Sequence, residues 1–582
     1  MKFSATLLLL VVCAAAFSAL ACTVVYVGPE ASTTGSSFIG HSSDGGATTD
    51  PRLVWIEGRA TGGPRPIYPS PESYPRYVGY ARGAEPYFPL PGQAETEPIG
   101  HIPQPYDFSH PYLEETYGAA NPYIGVAEAT CSAVYVATPV NEGGSALLSI
   151  DELSRIAMER TKTATCAVNM MGELAVKYGF YGPGSFEGSG ESLIVADTKE
   201  GWIFHVLPDS TGKSAIWAAQ RIPANHVAVI ANMFTIRNID LTDTTGANFL
   251  FSPTLASHAR LRNCSSAASD DTVKSVDFAG CFSNGEYAHK YYSGRRVWRA
   301  YDLLAPQLKL SPTYTNLLTD APYPVSAPPA EKVSLERVFS LYRDYLQGTE
   351  FDLTTGLASG PFGTPDRYTG GEGERSFKNG WWERPIGLFR TSDTYVVEFR
   401  PTAPAEMAVV LWFGPHAAHG TVFTPFLASA SSVPDSYSYG HQKTFNRTTA
   451  FWAHRYVLNL AQMKFGYIIE DIKLAQTAQE HYLVQKLEEA TAAVKARAVS
   501  VYDAAKDLKF RATEVVAAWW KLADDLMFKY ADGFVSDESR FGKSVGYPKW
   551  WLDEVGYSKT EGVTAAGAAT GEQQYYPRAP NV

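Results

Sequence analysis

The stretch SALACTVVYVG, residues 18–28, sets the first limit on how this chain folds, because an apolar leader stops there and a β-branched run begins. Before the seam stand one positive charge at Lys2, an apolar run from Leu7 to Ala16 and the small-x-small triplet Ala19-Leu20-Ala21. That three-part form is a secretory signal peptide, too short to span a bilayer comfortably, and such a segment takes no part in the mature fold. A cut between Ala21 and Cys22 makes Cys22 the first residue of the mature chain. Two other roles stay open for it: a small buried residue behind a retained anchor, or the lipid attachment point of a bacterial lipoprotein, which normally wants leucine where Ala19 stands.

Residues 22–582 exceed what one small core organises, so one large catalytic-size domain with appendages is expected. An apolar content of 45% with 13% aromatics belongs to a packed globular chain and not a disordered one. The net charge of −11, with no cluster of Lys and Arg, argues against nucleic acid as a partner, since phosphate binding needs a basic footprint. Past the leader the cysteines are Cys22, Cys131, Cys166, Cys264 and Cys281, an odd number that leaves at least one thiol unpaired. Cys264 and Cys281 are close enough to bridge a loop, and Cys131 with Cys166 is a second pairing the count allows. Without a C-x-x-C pair, a cysteine zinc site is not expected. The triplets NCS at Asn263 and NRT at Asn446 are glycosylation sequons suited to exposed loops of a secreted protein.

The apolar pattern orders the rest. CTVVYV reads as a strand, followed by a second strand ending near His41. Residues 58–122, rich in Pro, Tyr and Gly, suit loops and short edge strands that shape a cleft. Ser149-Ile-Asp-Glu152 has the form of a capping box opening a helix, and a second helix runs from about Thr165 to Tyr178. SLIVAD, GWIFHV, SAIWAAQRI and HVAVIANMF follow as strands, with a helix near 332–346, a Gly-rich loop at 355–380, and further strands at TYVVEFR and MAVVLWFG. Strands on both sides of paired helices imply sheets between helical layers. From about Thr449 to Tyr530 apolar residues recur every three or four positions, which predicts a helical bundle. The last stretch, small and polar, is expected to be disordered.

Familiar catalytic patterns fit poorly. His416 and His419 in GPHAAHG sit in a loop without the helical register of a metal-binding pair. GPGSFEGSG near Ser185 lacks the strand and helix that flank a nucleophile elbow. A cysteine freed at the amino terminus, by contrast, carries a nucleophile and a base on one residue: the thiol has an ordinary pKa near 8.5 and the α-amine one of about 7.7–8.0, so the amine can take the thiol proton at neutral pH. Such a site further needs donors for an oxyanion and charged groups to orient the terminus.

Several segments in order carry a resemblance: CTVVYVGPEASTTGSSFIGHSSDGG, YGAANPYIGVAEATC, SIDELSRIAMERTKTATCAV, ESLIVADTKEGWIFHV, HVAVIANMFTIRNID, SGRRVWRAYDLLAP and VVLWFGPHAAHGTVFTPF. Over residues 22 to about 470 the chain resembles the N-terminal-nucleophile (Ntn) hydrolases, and among them the cysteine dipeptidases of peptidase family C69, relatives of penicillin V acylase and bile salt hydrolase. The resemblance implies an α+β fold, a four-layer αββα sandwich with a C-terminal helical extension. It divides the chain into a signal peptide at 1–21, a hydrolase domain at 22–465, a helical extension at 466–535 and a C-terminal segment at 536–582. It also implies an enzyme for dipeptides or small amides; no cofactor or metal is expected, the leader points to a secreted or lumenal location with no transmembrane segment in the mature chain, and a homo-oligomer stays open.

Residue by residue, the resemblance makes Cys22 the nucleophile and its α-amine the base, and Asp44 the carboxylate that holds the terminus. Asn121 in AANPYIGVAE resembles the asparagine that helps form the oxyanion hole, and Asn232 in VIANMF resembles the second asparagine of the site. Arg296, or its neighbour Arg295, resembles the arginine near the nucleophile. His41 stands where the acylase branch has an arginine. Two rival readings share the same fold: an acylase of non-peptide amides, and a secreted binding glycoprotein without turnover.

Overall fold

The computed structural model describes residues 22–45, 51–70, 93–115, 119–183, 188–286, 289–368, 382–430, 433–536 and 543–557. The leader with Ala21, Ser185, residues 71–92 and 116–118 of the 58–122 stretch expected to shape a cleft, part of the Gly-rich loop and the final tail lie outside these residues.

The chain is α+β, built on two antiparallel sheets. Twelve strands carry them: β1 Cys22–Val27, β2 Ser37–Ser43, β3 Ile124–Cys131, β4 Gly190–Asp197, β5 Gly201–Pro208, β6 Ala215–Ile222, β7 Val227–Ile230, β8 Phe249–Phe251, β9 Ser326–Ala327, β10 Asp393–Phe399, β11 Val409–Gly414 and β12 Thr424–Leu427. The seven-stranded sheet runs β9-β7-β1-β2-β10-β11-β12, and the five-stranded sheet runs β8-β6-β5-β4-β3. β1 is therefore interior, pairing Val24 with His41 on β2 and with Ile230 on β7. Its β-branched residues suit a strand buried on both faces, and all six of its residues are buried.

Period-two alternation in the five-stranded sheet separates two cores. On β4, Ile194 and Ala196 face the larger core shared with β1 and β2, while Leu193 and Val195 join a second core with Trp202 and Phe204. Helices α1 (Ile150–Arg160) and α2 (Ala164–Tyr178) close that second core, and α2 packs across β4, β5 and β6. Ser149 does stand at the start of α1, yet its hydroxyl makes no capping bond, so the capping box read from the sequence does not form. A buried ion network fixes α1 instead. Arg155 pairs with Asp151 at 2.9 Å and with Glu114, while Arg65 meets Glu152 and Glu159 at 2.6 Å each. The network ties the helix to the short ribbons formed by Arg65–Ile67 with Gly100–Ile102 and by Val54–Ile56 with Tyr112–Glu114.

Against the seven-stranded sheet lie α3 (Gly294–Leu304) on β7 and α4 (Leu335–Tyr342) on β2 and β10. The helical stretch resolves into α5 (Ala450–Ala461), α6 (Phe465–Lys495) and α7 (Val501–Lys529). These are not loosely attached. Trp519 on α7 donates its indole N–H to the Gly420 carbonyl at 3.0 Å, Gln476 on α6 donates to Thr421 O at 2.7 Å, and Glu480 accepts from Arg343 and from Phe423 N. Their apolar faces belong to the larger core. Cys264 and Cys281 form the disulfide that their spacing allows, whereas Cys131 and Cys166 are both free thiols, the first buried and the second exposed. Among the described residues no helix is long and apolar enough to cross a membrane.

Candidate active site

Cys22 opens β1 opposite Ser43 on β2, so the chain direction itself carries the residue to the end of a central strand pair. Four segments distant in sequence converge on it. From α3, Arg296 donates Nη1 to the Cys22 carbonyl at 2.8 Å and to Thr23 Oγ1 at 3.1 Å, and Nη2 to Asn232 Oδ1 at 2.8 Å. Asn232 follows β7 with φ of 56°, a left-handed conformation that asparagine tolerates better than most residues. Its Nδ2 donates to Thr130 O at 2.8 Å, and Ser293 Oγ donates to its main-chain oxygen at 3.2 Å. From α4, the Tyr342 hydroxyl donates to Thr23 O at 3.2 Å. The ring reaches it only because position 40 is glycine, where a Cβ would stand 2.4 Å from the Tyr342 ring.

The carboxylate of Asp44 is fully buried and is held by Arg384, by the Thr391 hydroxyl and by Ser42 Oγ at 3.3 Å. Arg390 donates to the Asp44 main-chain oxygen, and His416 hydrogen-bonds Thr391 O at 2.8 Å behind it. His416 thus braces the Thr391 segment. Arg384 and Arg390 supply the permanent cations that the sequence lacks at His41. His41 itself is buried against the Tyr395 ring, centroids 4.9 Å apart, and burial holds its pKa down to about 3, opposed by the Glu128 backbone. It is a neutral imidazole at pH 7.

Glu128 on β3 completes the surroundings. The Cys22 thiol donates to Glu128 Oε2 at 3.3 Å, and Thr130 Oγ1 donates to Glu128 Oε1 at 2.8 Å. The Glu191 carboxyl group on β4 lies against Glu128 and acts on its titration. Burial raises the Glu128 pKa, against the hydrogen bonds from Glu191, Thr130 and Cys22. Cys22 is 1% exposed. Burial first, then the Glu128 and Asp44 charges, push its thiol well above the ordinary value, while a backbone hydrogen bond from Asp44 pulls it down. Arg296 is lowered to about 10 by burial and by Arg384, which still leaves it a cation at neutral pH. The resting thiol is therefore protonated, and its activation needs a base.

Two trios place their potential ligand atoms within 4.8 Å of one another: Cys22, His41 and Glu128, and His41, Glu115 and Asp393. A second thiol, Cys131, lies in a chain that reads superficially as another catalytic set. Its Sγ is 3.0 Å from Ser192 Oγ, which is 2.7 Å from His205 Nδ1. His205 Nε2, however, accepts the backbone N–H groups of Thr235 at 2.9 Å and Ile236 at 3.1 Å. In the neutral ring Nδ1 then carries the hydrogen and donates to Ser192, so His205 cannot take a proton from it. The chain instead pins the loop that follows Asn232.

Cys22, Asp44, Asn232 and Arg296 are thus brought together. Arg295 points elsewhere, donating to Glu383 at 3.0 Å and lying 3.6 Å over the Phe351 ring. Asn121 is not brought to the thiol cluster by any of its bonds. Its Nδ2 donates to Met158 O at 2.7 Å and Thr161 O at 3.0 Å, and its Oδ1 accepts from Tyr123 N and Ile124 N. With both hydrogens donated to the end of α1, none remains for an oxyanion. The sequons differ too: Asn263 is exposed, with φ of 59° beside the disulfide, and Asn446 is half-buried, its Oδ1 accepting from Thr448 of its own triplet at 2.8 Å.

A buried thiol framed by guanidinium, amide and carboxyl groups on an α+β two-sheet scaffold is the equipment of a cysteine-type amide hydrolase. The model of peptidase family C69 matches residues 114–478, most of the chain, and the protein belongs to that family. The match takes in Glu128, Asn232, Arg296 and Arg384. Among curated relatives, a probable dipeptidase of Salmonella dublin is 25% identical over 414 residues, covering 70% of this chain and 81% of that protein. A probable dipeptidase of Latilactobacillus sakei is 22% identical over 77% of this chain and 82% of its own length, and dipeptidase A of Lactobacillus helveticus 22% identical over 76% and 82%.

Proposed function

We propose that this protein is an exported N-terminal-nucleophile dipeptidase on a four-layer αββα fold, in which removal of the leader exposes Cys22 as nucleophile and base together. The observation that carries the reading is the Arg296 fork: one buried guanidinium holds the Cys22 carbonyl and the Thr23 hydroxyl at the start of β1 together with the Asn232 amide after β7. Such a grip has a purpose if that strand end is the reacting terminus. The dipeptidase names of relatives that align over more than two thirds of this chain support the substrate class. The Cys264–Cys281 disulfide supports an oxidising compartment, in keeping with export.

In the mature enzyme the neutral α-amine takes the thiol proton, and Sγ attacks the carbonyl carbon of the first peptide bond. The oxyanion is assigned to the second hydrogen of Asn232 Nδ2, while Arg296 fixes the amide and the strand end in register. As the tetrahedral adduct collapses, the C–N bond breaks and the α-ammonium returns its proton to the leaving amine. Water, deprotonated by the same amine, then hydrolyses the thioester and releases the amino acid. Asp44, held between Arg384 and Thr391, keeps a fixed negative charge near the terminus.

Purified mature Cys22→Ala protein is expected to fold and to turn over no dipeptide, and Cys22→Ser to retain only a trace, since the amine remains but the hydroxyl is a poorer nucleophile. Full dipeptidase activity in Cys22→Ala would overturn the reading.

A further inference from the structure

Glu128 poses a problem for the site that contains it. A carboxylate 3.3 Å from the nucleophilic sulfur disfavours the thiolate, so on electrostatic grounds alone it works against catalysis. Among the described residues no cation pairs with its carboxyl group. His41 is neutral at working pH, Asp44 is acidic, and Glu191 on β4 brings a further carboxyl group against Glu128. Arg296 directs its fork to Cys22, Thr23 and Asn232, and Arg384 pairs with Asp44. The Cys22 α-amine must be neutral to act as the base. A buried negative charge in this position calls for a cation that arrives with the substrate.

We infer that Glu128, steadied by Thr130 and Glu191, is the subsite for the free α-ammonium group of the substrate's first residue. The inference rests on the dipeptidase reading above and narrows it to substrates cleaved after an unblocked first residue. Standard bond lengths place an α-amino nitrogen about 2.5 Å from the carbonyl carbon of its own residue. A near-attack sulfur stands about 3–3.5 Å from that carbon, and an ammonium–carboxylate hydrogen bond spans about 2.7–2.9 Å. With Sγ and Glu128 Oε2 3.3 Å apart, these lengths close into one compact figure. These lengths admit the amine a single carbon away from the scissile carbonyl. The ammonium then cancels the charge that opposes thiolate formation, so binding the correct substrate also activates the nucleophile. An acyl amide without that amine leaves the carboxylate uncompensated. One contact thereby separates a dipeptidase from an acylase built on the same scaffold.

The test compares the mature wild-type enzyme with Glu128→Gln on a dipeptide and on the same dipeptide N-acetylated. A second arm measures how far L-alaninol, or N-acetyl-L-alaninol, protects Cys22 from alkylation by iodoacetamide, read by mass spectrometry. Wild type is expected to favour the free dipeptide in kcat/KM by about 10²-fold or more, a preference that collapses in Glu128→Gln because the free substrate loses rate while the acetylated one, relieved of the opposing charge, holds or gains. L-alaninol protects wild-type Cys22, and neither its acetylated form in wild type nor L-alaninol in the variant does so. An equal fall on both substrates, or an unchanged preference, overturns the inference while leaving a dipeptidase. Protection by L-alaninol without hydrolysis of either substrate keeps the ammonium subsite and overturns the dipeptidase reading instead. Equal protection by both alaninols in wild type overturns the subsite even if the variant fails to fold.

Discussion

Arg296 directs one planar fork at three acceptors, two on β1 and one in the loop after β7, a task that the shape of guanidinium allows and an ammonium group does not. Arg296→Lys is therefore expected to lower kcat by about 10²-fold with KM little changed, because Asn232 and the strand end lose their common register. Steady-state kinetics with added guanidinium ion checks this, since a positioning role predicts partial rescue and a merely structural one does not. At this scale the sequence was informative where a motif was local. Cys22 beside the leader, Asp44 shortly after β2, Asn232 after β7 and Arg296 in SGRRVWR all meet in the structure. Asn121 shows the limit of that reading, for its neighbour Pro122 and the bonds it makes to α1 turn it into a staple at the start of β3. Glu128 was missed because a charged residue in VAEAT reads as the outward position of a strand, and only the packing of β3 beside β1 turns it toward the thiol. Arg384 stands 340 residues from Asp44, and no periodicity links the two.

Between elements, polar bonds decide how loops sit on the helices. Asp366 accepts from Gln462 Nε2 at 2.6 Å just past α5, and Gln462 Oε1 accepts from Thr364, so one side chain fastens the loop twice. Burial raises the Asp366 pKa from 3.8 to about 7, against the pull of Arg367. The folded state therefore holds this proton where the unfolded chain has lost it. The stability it contributes is fully present below about pH 4 and is lost as pH rises through about 7. Asp366→Asn keeps an acceptor for Gln462 without the charge. Its stability advantage over wild type is expected to open between pH 4 and 7 and then hold level, at no more than about 4 kcal/mol. Thermal melts of both proteins across that range measure the gap, and a gap independent of pH would contradict it. The elements themselves were largely legible, because alternating strands such as SLIVAD and the helical spacing after Thr449 are local signals. The capping box at Ser149 was not, since α1 is anchored by ion pairs to Glu114 and Arg65 from ribbons that the sequence shows only as Pro-rich loop.

In the whole molecule, β1 is interior to one sheet and stacks beside β3 of the other, so the residue that opens β1 lies where both sheets can supply side chains. That arrangement suits the role proposed for Cys22: the strand is fixed by pairing on both edges while its first residue stays at a sheet end. The α6–α7 hairpin, expected as an extension, packs its Trp519 and Gln476 into the same core and braces the β11–β12 connection. The sequence marked those helices but not their docking, because an apolar stripe does not name the surface that covers it. Cys22 is proposed above as both the amino terminus and the nucleophile. Intact and peptide mass spectrometry of the active enzyme, trapped by acid quench during turnover of a slowly hydrolysed dipeptide analogue, addresses both at once. The account predicts a chain beginning at Cys22 with one acyl group on that residue. An active enzyme whose chain begins at another residue, or an acyl group carried elsewhere, would contradict it.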